Sequence, residues 1–310
     1  MRVEFLMITN PKLFFHPIPS VKSLLHQFFI SFKLSYIEWI ITIGTLLLVI
    51  IPHSFLQPDY TLPNISLIDS FFPYTSQTFP TYLVIIVFII IPYILLILFY
   101  FLLSLRSFSL FYYENNSHFD LNYAALSLFQ TLGITILFTE FLKVYVSRPR
   151  PNFFSYCGYN STLNKCTGSA HDVRDSHISF PSGHSSISFS SSVWILLFLR
   201  RMRKSERNGQ IWYIYIQLFY IILAAFCASS RIVDHMHHPS DVITGTVMGI
   251  SFAYLIFQTQ SYRIFDNTSK DIDSTVSPIN DENDKELENV NFPLENEQNQ
   301  KNSNNNEVTP

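Results

Sequence analysis

Six stretches of this chain are apolar over lengths that connecting loops do not reach, and that fact limits the fold before any other. Residues 82–105 contain 24 positions without a charge, residues 211–230 contain 20 and residues 242–262 contain 21. About 20 apolar residues in a helix cross a hydrocarbon core of about 30 Å, and a helix satisfies its own backbone groups where no water is present. Three further stretches qualify with polar interruptions: residues 39–51 with their flanks, 121–146 with Glu140 and Lys143 near the end, and 178–199 with His184 near the start. The expected fold is therefore all-α, a six-transmembrane helix bundle over residues 37–263. Composition agrees, since charged residues make up 14% of the chain against roughly 25% in soluble domains.

The formal net charge of -3 conceals two different materials. Residues 1–263 carry +5 and residues 264–310 carry -8. This balance excludes a strongly basic nucleic-acid binder. The acidic end, with eleven Asn among 47 residues, has too little apolar surface to fold alone and is expected to be a disordered cytosolic tail. Residues 1–36 form an expected cytosolic N-terminal segment. Within it, Val21, Leu24, Leu25, Phe28, Phe29 and Phe32 set against Lys22, His26, Gln27 and Lys33 suit a helix lying in the membrane interface, with a loop as the alternative. No cleavable signal peptide is visible, so the first span is expected to act as an uncleaved anchor.

Lys and Arg outside the spans orient the bundle. Arg2, Lys12, Lys22 and Lys33 precede the first span, Arg200, Arg201, Arg203, Lys204 and Arg207 follow the fourth, and the loop over residues 53–80 has neither residue type. Six crossings then leave both termini in the cytosol and the first, third and fifth loops outside. Sequons at Asn64 and Asn160 fall in outside loops, where glycosylation is available, whereas those at Asn115 and Asn267 fall inside. Cys157 and Cys166 share the third loop and are candidates for a disulfide in an oxidising compartment, with two free thiols as the alternative. These features imply passage through the endoplasmic reticulum. They leave the final membrane open among reticulum, vacuole and plasma membrane.

The third loop breaks the charge pattern with Lys143, Arg148, Arg150, Lys165 and Arg174. Ionisable groups near a membrane core are costly and point to function. Because successive spans alternate direction, the end of the third span at Lys143, the start of the fourth at His184, the end of the fifth at Arg231 and the start of the sixth at His237 and Asp241 all emerge on one face. Lys143, Arg148 and Arg150 deliver three cations there, suited to phosphate oxygens, although snorkelling at the interface is the plainer reading of that cluster alone. In Pro181-Ser182-Gly183-His184, Pro favours a first helical turn, Gly admits close approach, and the free amides of a helix start attract an anion. Asp241, in the first turn after Pro239, can reach back toward His237; a carboxylate on one ring nitrogen leaves the other free as a nucleophile. His235, His237, His238 and Asp241 are also metal-capable. Their spacing matches no usual zinc pattern, and the cations supply the charge a metal normally provides, so no metal is expected.

Taken together, Lys143 followed by six residues and Arg150-Pro151, then Pro181-Ser182-Gly183-His184, then Ser230-Arg231, five residues, His237, three residues and Asp241, resemble the three-part signature of the type 2 phosphatidate phosphatase superfamily, which includes lipid phosphate phosphatases, diacylglycerol pyrophosphate phosphatases and vanadium haloperoxidases. The resemblance spans about residues 39–262. It implies a phosphoric monoester hydrolase that acts on a lipid phosphate in the membrane, phosphatidate first, without Mg²⁺ or another cofactor. It further implies that Lys143, Arg150, Arg231 and the Ser182–Gly183 amides bind phosphate, that His237 becomes phosphorylated with Asp241 behind it, and that His184 serves as acid and then base. Diacylglycerol pyrophosphate or polyprenyl pyrophosphate is the alternative substrate, and a catalytically silent scaffold of the same fold the non-enzymatic one. Gly245 and Gly249, with the serines of residues 182–192, are expected to mark two helices central in the bundle. Oligomeric state is not read from the sequence.

Overall fold

The computed structural model describes residues 21–63, 71–104, 119–202 and 211–265. All belong to one compact unit, Met1–Thr268. Asn64, most of the acidic tail and residues 1–20 lie outside the described residues.

The architecture is helical throughout, apart from one short ribbon. Helix α1, Val21–Leu48, ends in a π-turn at Ile51–Phe55; α2, Thr81–Ile85, passes through a π-turn at Ile86–Ile90 into α3, Ile91–Ser104. Helix α4 covers Leu121–Val146. The third loop folds into α5, Phe153–Tyr156, a two-stranded ribbon of β1, Tyr159–Asn160, and β2, Lys165–Cys166, and α6, Ala170–Ser176. Helices α7, Gly183–Met202, α8, Ile211–Val233, and α9, Pro239–Phe265, complete the chain. Five apolar segments among the described residues are long enough to cross a membrane: Phe28–Phe55, Thr81–Phe101, Leu121–Val146, Ile214–Val233 and Pro239–Phe265. Helix α7 has the length but is made polar by its serines, so hydropathy alone does not count it. Helix α1 is continuous across residue 36, and α9 runs two residues past residue 263 because the Ile264 carbonyl accepts from the Asp120 amide at 2.8 Å while its side chain is buried.

Outward faces confirm a multi-pass membrane protein. Leu34, Ile40, Tyr82, Ile222, Val233 and Ile243 are each more than 60% exposed on these helices, a pattern that suits lipid rather than water. Polarity is instead turned inward. Every serine from Ser185 to Ser192 on α7 is buried, and several hydroxyls donate back to carbonyls one turn earlier, which lets backbones approach closely. Gly245 and Gly249 of α9 face this serine stripe: a β-carbon at Gly245 would stand 2.5 Å from the Ser182 carbonyl oxygen, and one at Gly249 would meet that of Ser186. The small-residue seam is thus used within the chain. Helix α4 joins through hydrogen bonds from Trp194 Nε1 to Ser127 Oγ at 3.0 Å and between Thr139 and Ser186 hydroxyls at 2.9 Å. Helix α1 is pinned to α4 by Trp39 Nε1 donating to Asn122 Oδ1 and by Asn122 Nδ2 donating to Ser31 and Ser35. A pair between Arg263 and Glu38 closes the end of the bundle remote from the residues described next.

Candidate active site

Four helix ends meet at one rim, and each is terminated by local chemistry that aims a functional side chain. Helix α4 stops at Ser147, whose left-handed backbone (φ 49°) and amide bond to the Lys143 carbonyl turn the chain out just before Pro149. Helix α8 ends in a Schellman turn. His235 takes the left-handed position (φ 54°), its amide donates to Ile232, and the Met236 amide returns to the Arg231 carbonyl at 3.0 Å. The His237 amide reaches the same carbonyl at 3.2 Å, so the turn sets His237 beside Arg231. Pro239 then opens α9 with Asp241 in its first turn, and the Ser182 amide donates to the Asp241 carbonyl at 3.0 Å, locking the start of α7 to the start of α9.

The third loop supplies Arg150. Its amide bonds to the Ser176 carbonyl, and the Ser179 amide to the Arg148 carbonyl, which holds residues 148–150 alongside 176–179. The Arg150 guanidinium is buried and oriented from three sides: Nε donates to the Asp175 carbonyl at 2.7 Å, Nη2 to Asp175 Oδ1 at 3.0 Å, and Nη1 to the Met236 carbonyl at 2.9 Å. Burial alone would raise the pKa of Asp175, but the charges of Arg150 and Lys143 and a hydrogen bond from Tyr156 Oη hold it below the ordinary carboxylate value. Nη1 of Arg150 also lies 3.4 Å from His237 Nε2.

That nitrogen holds the lone pair of the ring. His237 Nδ1 stands 2.6 Å from the Ser179 carbonyl oxygen, and because a carbonyl only accepts, Nδ1 carries the hydrogen and Nε2 keeps its lone pair. Burial, reinforced by the charges of Arg150, His184 and Lys143, places the His237 pKa well below the ordinary imidazole value, so the ring is neutral. Asp241 differs here from the expectation of direct contact. Its Oδ2 is 3.9 Å from Nδ1, beyond hydrogen-bond reach, because the carboxylate is already held by Ser179 Oγ at 2.6 Å, the His238 amide at 2.9 Å and Arg148 Nη1 at 2.7 Å. Ser179 therefore links the two, donating to Asp241 through its hydroxyl and accepting from His237 through its carbonyl.

Arg231 and Lys143 complete the cation set. Arg231 is 1% exposed and is paired with Asp234 at 2.8 Å; breaking such a buried pair costs about 3–5 kcal/mol. Its Nη1 donates to Gln77 Oε1 at 3.2 Å and lies 3.4 Å from His184 Nε2. Lys143 Nζ pairs with Glu140 at 2.6 Å and sits over the first turn of α7, where a β-carbon at Gly183 would be 3.4 Å from it. Lys143, Arg150, Arg231, His184 and His237 thus gather at one rim beside the start of α7 at Ser182 and Gly183. Among the described residues no His, Cys, Asp and Glu form a group able to hold a metal. Cys157 and Cys166 are disulfide-bonded beside the ribbon, and Asn160 is exposed at its turn.

Sequence reasoning passed over Ser179, Asp175 and the segment over residues 71–79, which packs across this rim. None carries a local pattern; each acts through contacts made far along the chain. Arg148, read from the sequence as one of three cations suited to phosphate oxygens, instead donates to Ser240 and Asp241.

The PAP2 superfamily pattern matches residues 124–265, which covers every one of these residues outside the 71–79 segment. Lipid phosphate phosphatase 2 of Arabidopsis thaliana is 31% identical over 236 residues, 72% of this chain and 75% of that protein. Lipid phosphate phosphatase 1 of the same plant is 29% identical over 237 residues, 73% and 68% of the two chains. Probable diacylglycerol pyrophosphate phosphatase 1 of Schizosaccharomyces pombe is 31% identical over 147 residues, 44% and 52%. No solved structure matches. The helical membrane fold and the cationic, two-histidine rim define a membrane phosphatase. The chain belongs to the PAP2 superfamily.

Proposed function

We propose that this protein is a lipid phosphate phosphatase that hydrolyses phosphatidate to diacylglycerol and inorganic phosphate. The observation that carries the reading is the free Nε2 of a neutral, buried His237 facing Arg150 at 3.4 Å, within a ring of cations at the mouth of a lipid-facing bundle. Such a site takes an amphiphile whose phosphate lies at headgroup depth while its acyl chains stay in the membrane. The names of the plant relatives support a lipid phosphate as substrate; the yeast relative's name supports diacylglycerol pyrophosphate as the second candidate.

Lys143, Arg150, Arg231 and the first amides of α7 bind the phosphate dianion and stabilise the charge on its equatorial oxygens as it transfers. His237 Nε2 attacks phosphorus, the P–O bond to the glycerol breaks, and His184 gives a proton to the departing alkoxide. Neutral His184 then takes a proton from water, whose oxygen attacks the phosphohistidine; the P–N bond breaks and phosphate leaves. Asp241 and Ser179 steady the positive charge on His237 from behind. Three cations do the work that a divalent metal does in other phosphatases, so turnover is expected to be independent of Mg²⁺.

Helix α7 is counted as the sixth span, which sets both termini in the cytosol and the site on the lumenal or external face. Phosphate release from phosphatidate in mixed micelles, measured in excess EDTA, tests this reading. Undiminished release is expected; abolition by EDTA with rescue by Mg²⁺ would overturn it.

A further inference from the structure

Residues 71–79 contain neither helix nor strand, yet they cross the rim of the site and touch both the general acid and the phosphate-binding arginine. The segment is held by stacking at three points: Phe71 on Phe154 at 4.4 Å, Phe72 on His235 at 4.3 Å, and Tyr74 on Tyr156 at 5.1 Å. Its main anchor is Asp234. Thr78 gives that carboxylate both its amide, at 2.9 Å, and its hydroxyl, at 2.6 Å, while Thr75 donates to the Asp234 carbonyl. Asp234 is in turn the partner of Arg231. One residue further, the Phe79 carbonyl oxygen lies 2.9 Å from His184 Nε2, and the Phe79 side chain is buried against Phe88.

His184 Nε2 thus stands between two groups with opposite demands. The Phe79 carbonyl only accepts, so it requires a hydrogen on Nε2. Arg231 Nη1, at 3.4 Å, only donates, and would require a lone pair there. The shorter contact is the carbonyl, so Nε2 carries a hydrogen.

We propose that the 71–79 strap is part of the reaction machinery: latched to Asp234 through Thr78, it holds the Phe79 carbonyl on His184 Nε2 and so fixes which imidazole nitrogen serves as the general acid. Thr78 and Phe79 are positioning residues, and the proposal rests on the phosphatase reading above. The acid form of His184 is the imidazolium, with one hydrogen on Nε2 given to the Phe79 carbonyl and one on Nδ1 for the alkoxide; when the latch is loosened, the cation loses that carbonyl and faces Arg231, the ring gives up its second proton, and protonation of the alkoxide slows. Phosphate binding, which depends on Arg150, Lys143 and Arg231, is left in place.

The test compares two leaving groups. A glycerol alkoxide departs only with a proton, whereas p-nitrophenolate departs without one, so a defect in acid catalysis separates the two substrates. Thr78 is exposed, and Thr78→Val removes only the hydroxyl bond to Asp234. It is expected to lower kcat on phosphatidate by about 10-fold or more with KM little changed, to leave p-nitrophenyl phosphate turnover within about 3-fold, and to be rescued by Thr78→Ser. Equal losses on both substrates, or no loss on either, would overturn the strap's role in proton transfer. Absence of wild-type turnover on both would overturn the phosphatase reading itself, and the strap proposal with it.

Discussion

A histidine attacks phosphorus only from a nitrogen that holds a lone pair, and at His237 that condition is met by two neighbours acting together. The Ser179 carbonyl takes the hydrogen of Nδ1 at 2.6 Å, and burial beside Arg150 keeps a second proton off the ring. The direction of the shift fixes its consequence. A lowered imidazole pKa means that His237 is still neutral at acidities where an ordinary histidine is charged, so its lone pair persists as pH falls. In detergent micelles with 15N-labelled histidine, the His237 ring signals are expected not to titrate between about pH 7.5 and 5.5. A midpoint near the ordinary imidazole value would contradict the burial argument. The signature residues at this scale were legible in the sequence because their chemistry is local to short motifs. Ser179 was not: its partner lies 58 positions away, and nothing in the run before Pro181 distinguishes a serine that orients a histidine from one that caps a helix.

Among the elements, the contact between α7 and α9 carries the most consequence for chemistry, because it joins the Ser182 amide to the Asp241 carbonyl at the floor of the site. Gly245 permits that approach. Adding one methyl there forces the Ser182 carbonyl away from a β-carbon 2.5 Å distant, and overpacking of this kind costs about 1–3 kcal/mol. Gly245→Ala is therefore expected to lower the thermal unfolding midpoint in detergent and to reduce kcat. An unchanged midpoint with full activity would mean that the seam is looser than described. The Gly-x-x-x-Gly spacing announced close packing from the sequence; that the partner is α7, and not a second copy, follows only once the serine stripe is seen to face it. Helix α7 itself illustrates the limit of hydropathy. Its serines make it too polar to be counted as a span, and they are there because its surroundings are other helices.

At the scale of the whole molecule, parity was the most productive inference. The six alternating crossings expected from the sequence would bring Lys143, His184, Arg231 and Asp241 to one rim whatever their distance along the chain; five segments among the described residues are long and apolar enough to cross, and hydrogen bonds join these ends at one rim. The strap over residues 71–79 escaped the same logic, since irregular backbone has no period to read. The proposed orientation puts the rim on the lumenal or external side. Asn160, exposed beside the disulfide in the third loop, is then expected to carry an N-glycan in a eukaryotic host, seen as a mobility shift removed by glycosidase and by Asn160→Gln. Glycosylation at Asn115 instead would reverse the orientation. The central claim, that His237 is the nucleophile of a lipid phosphate phosphatase, is tested most directly by phosphate release from phosphatidate micelles for wild type and for His237→Ala of matched folding. The account predicts steady release by the wild type and none above blank by the variant; equal rates would contradict it.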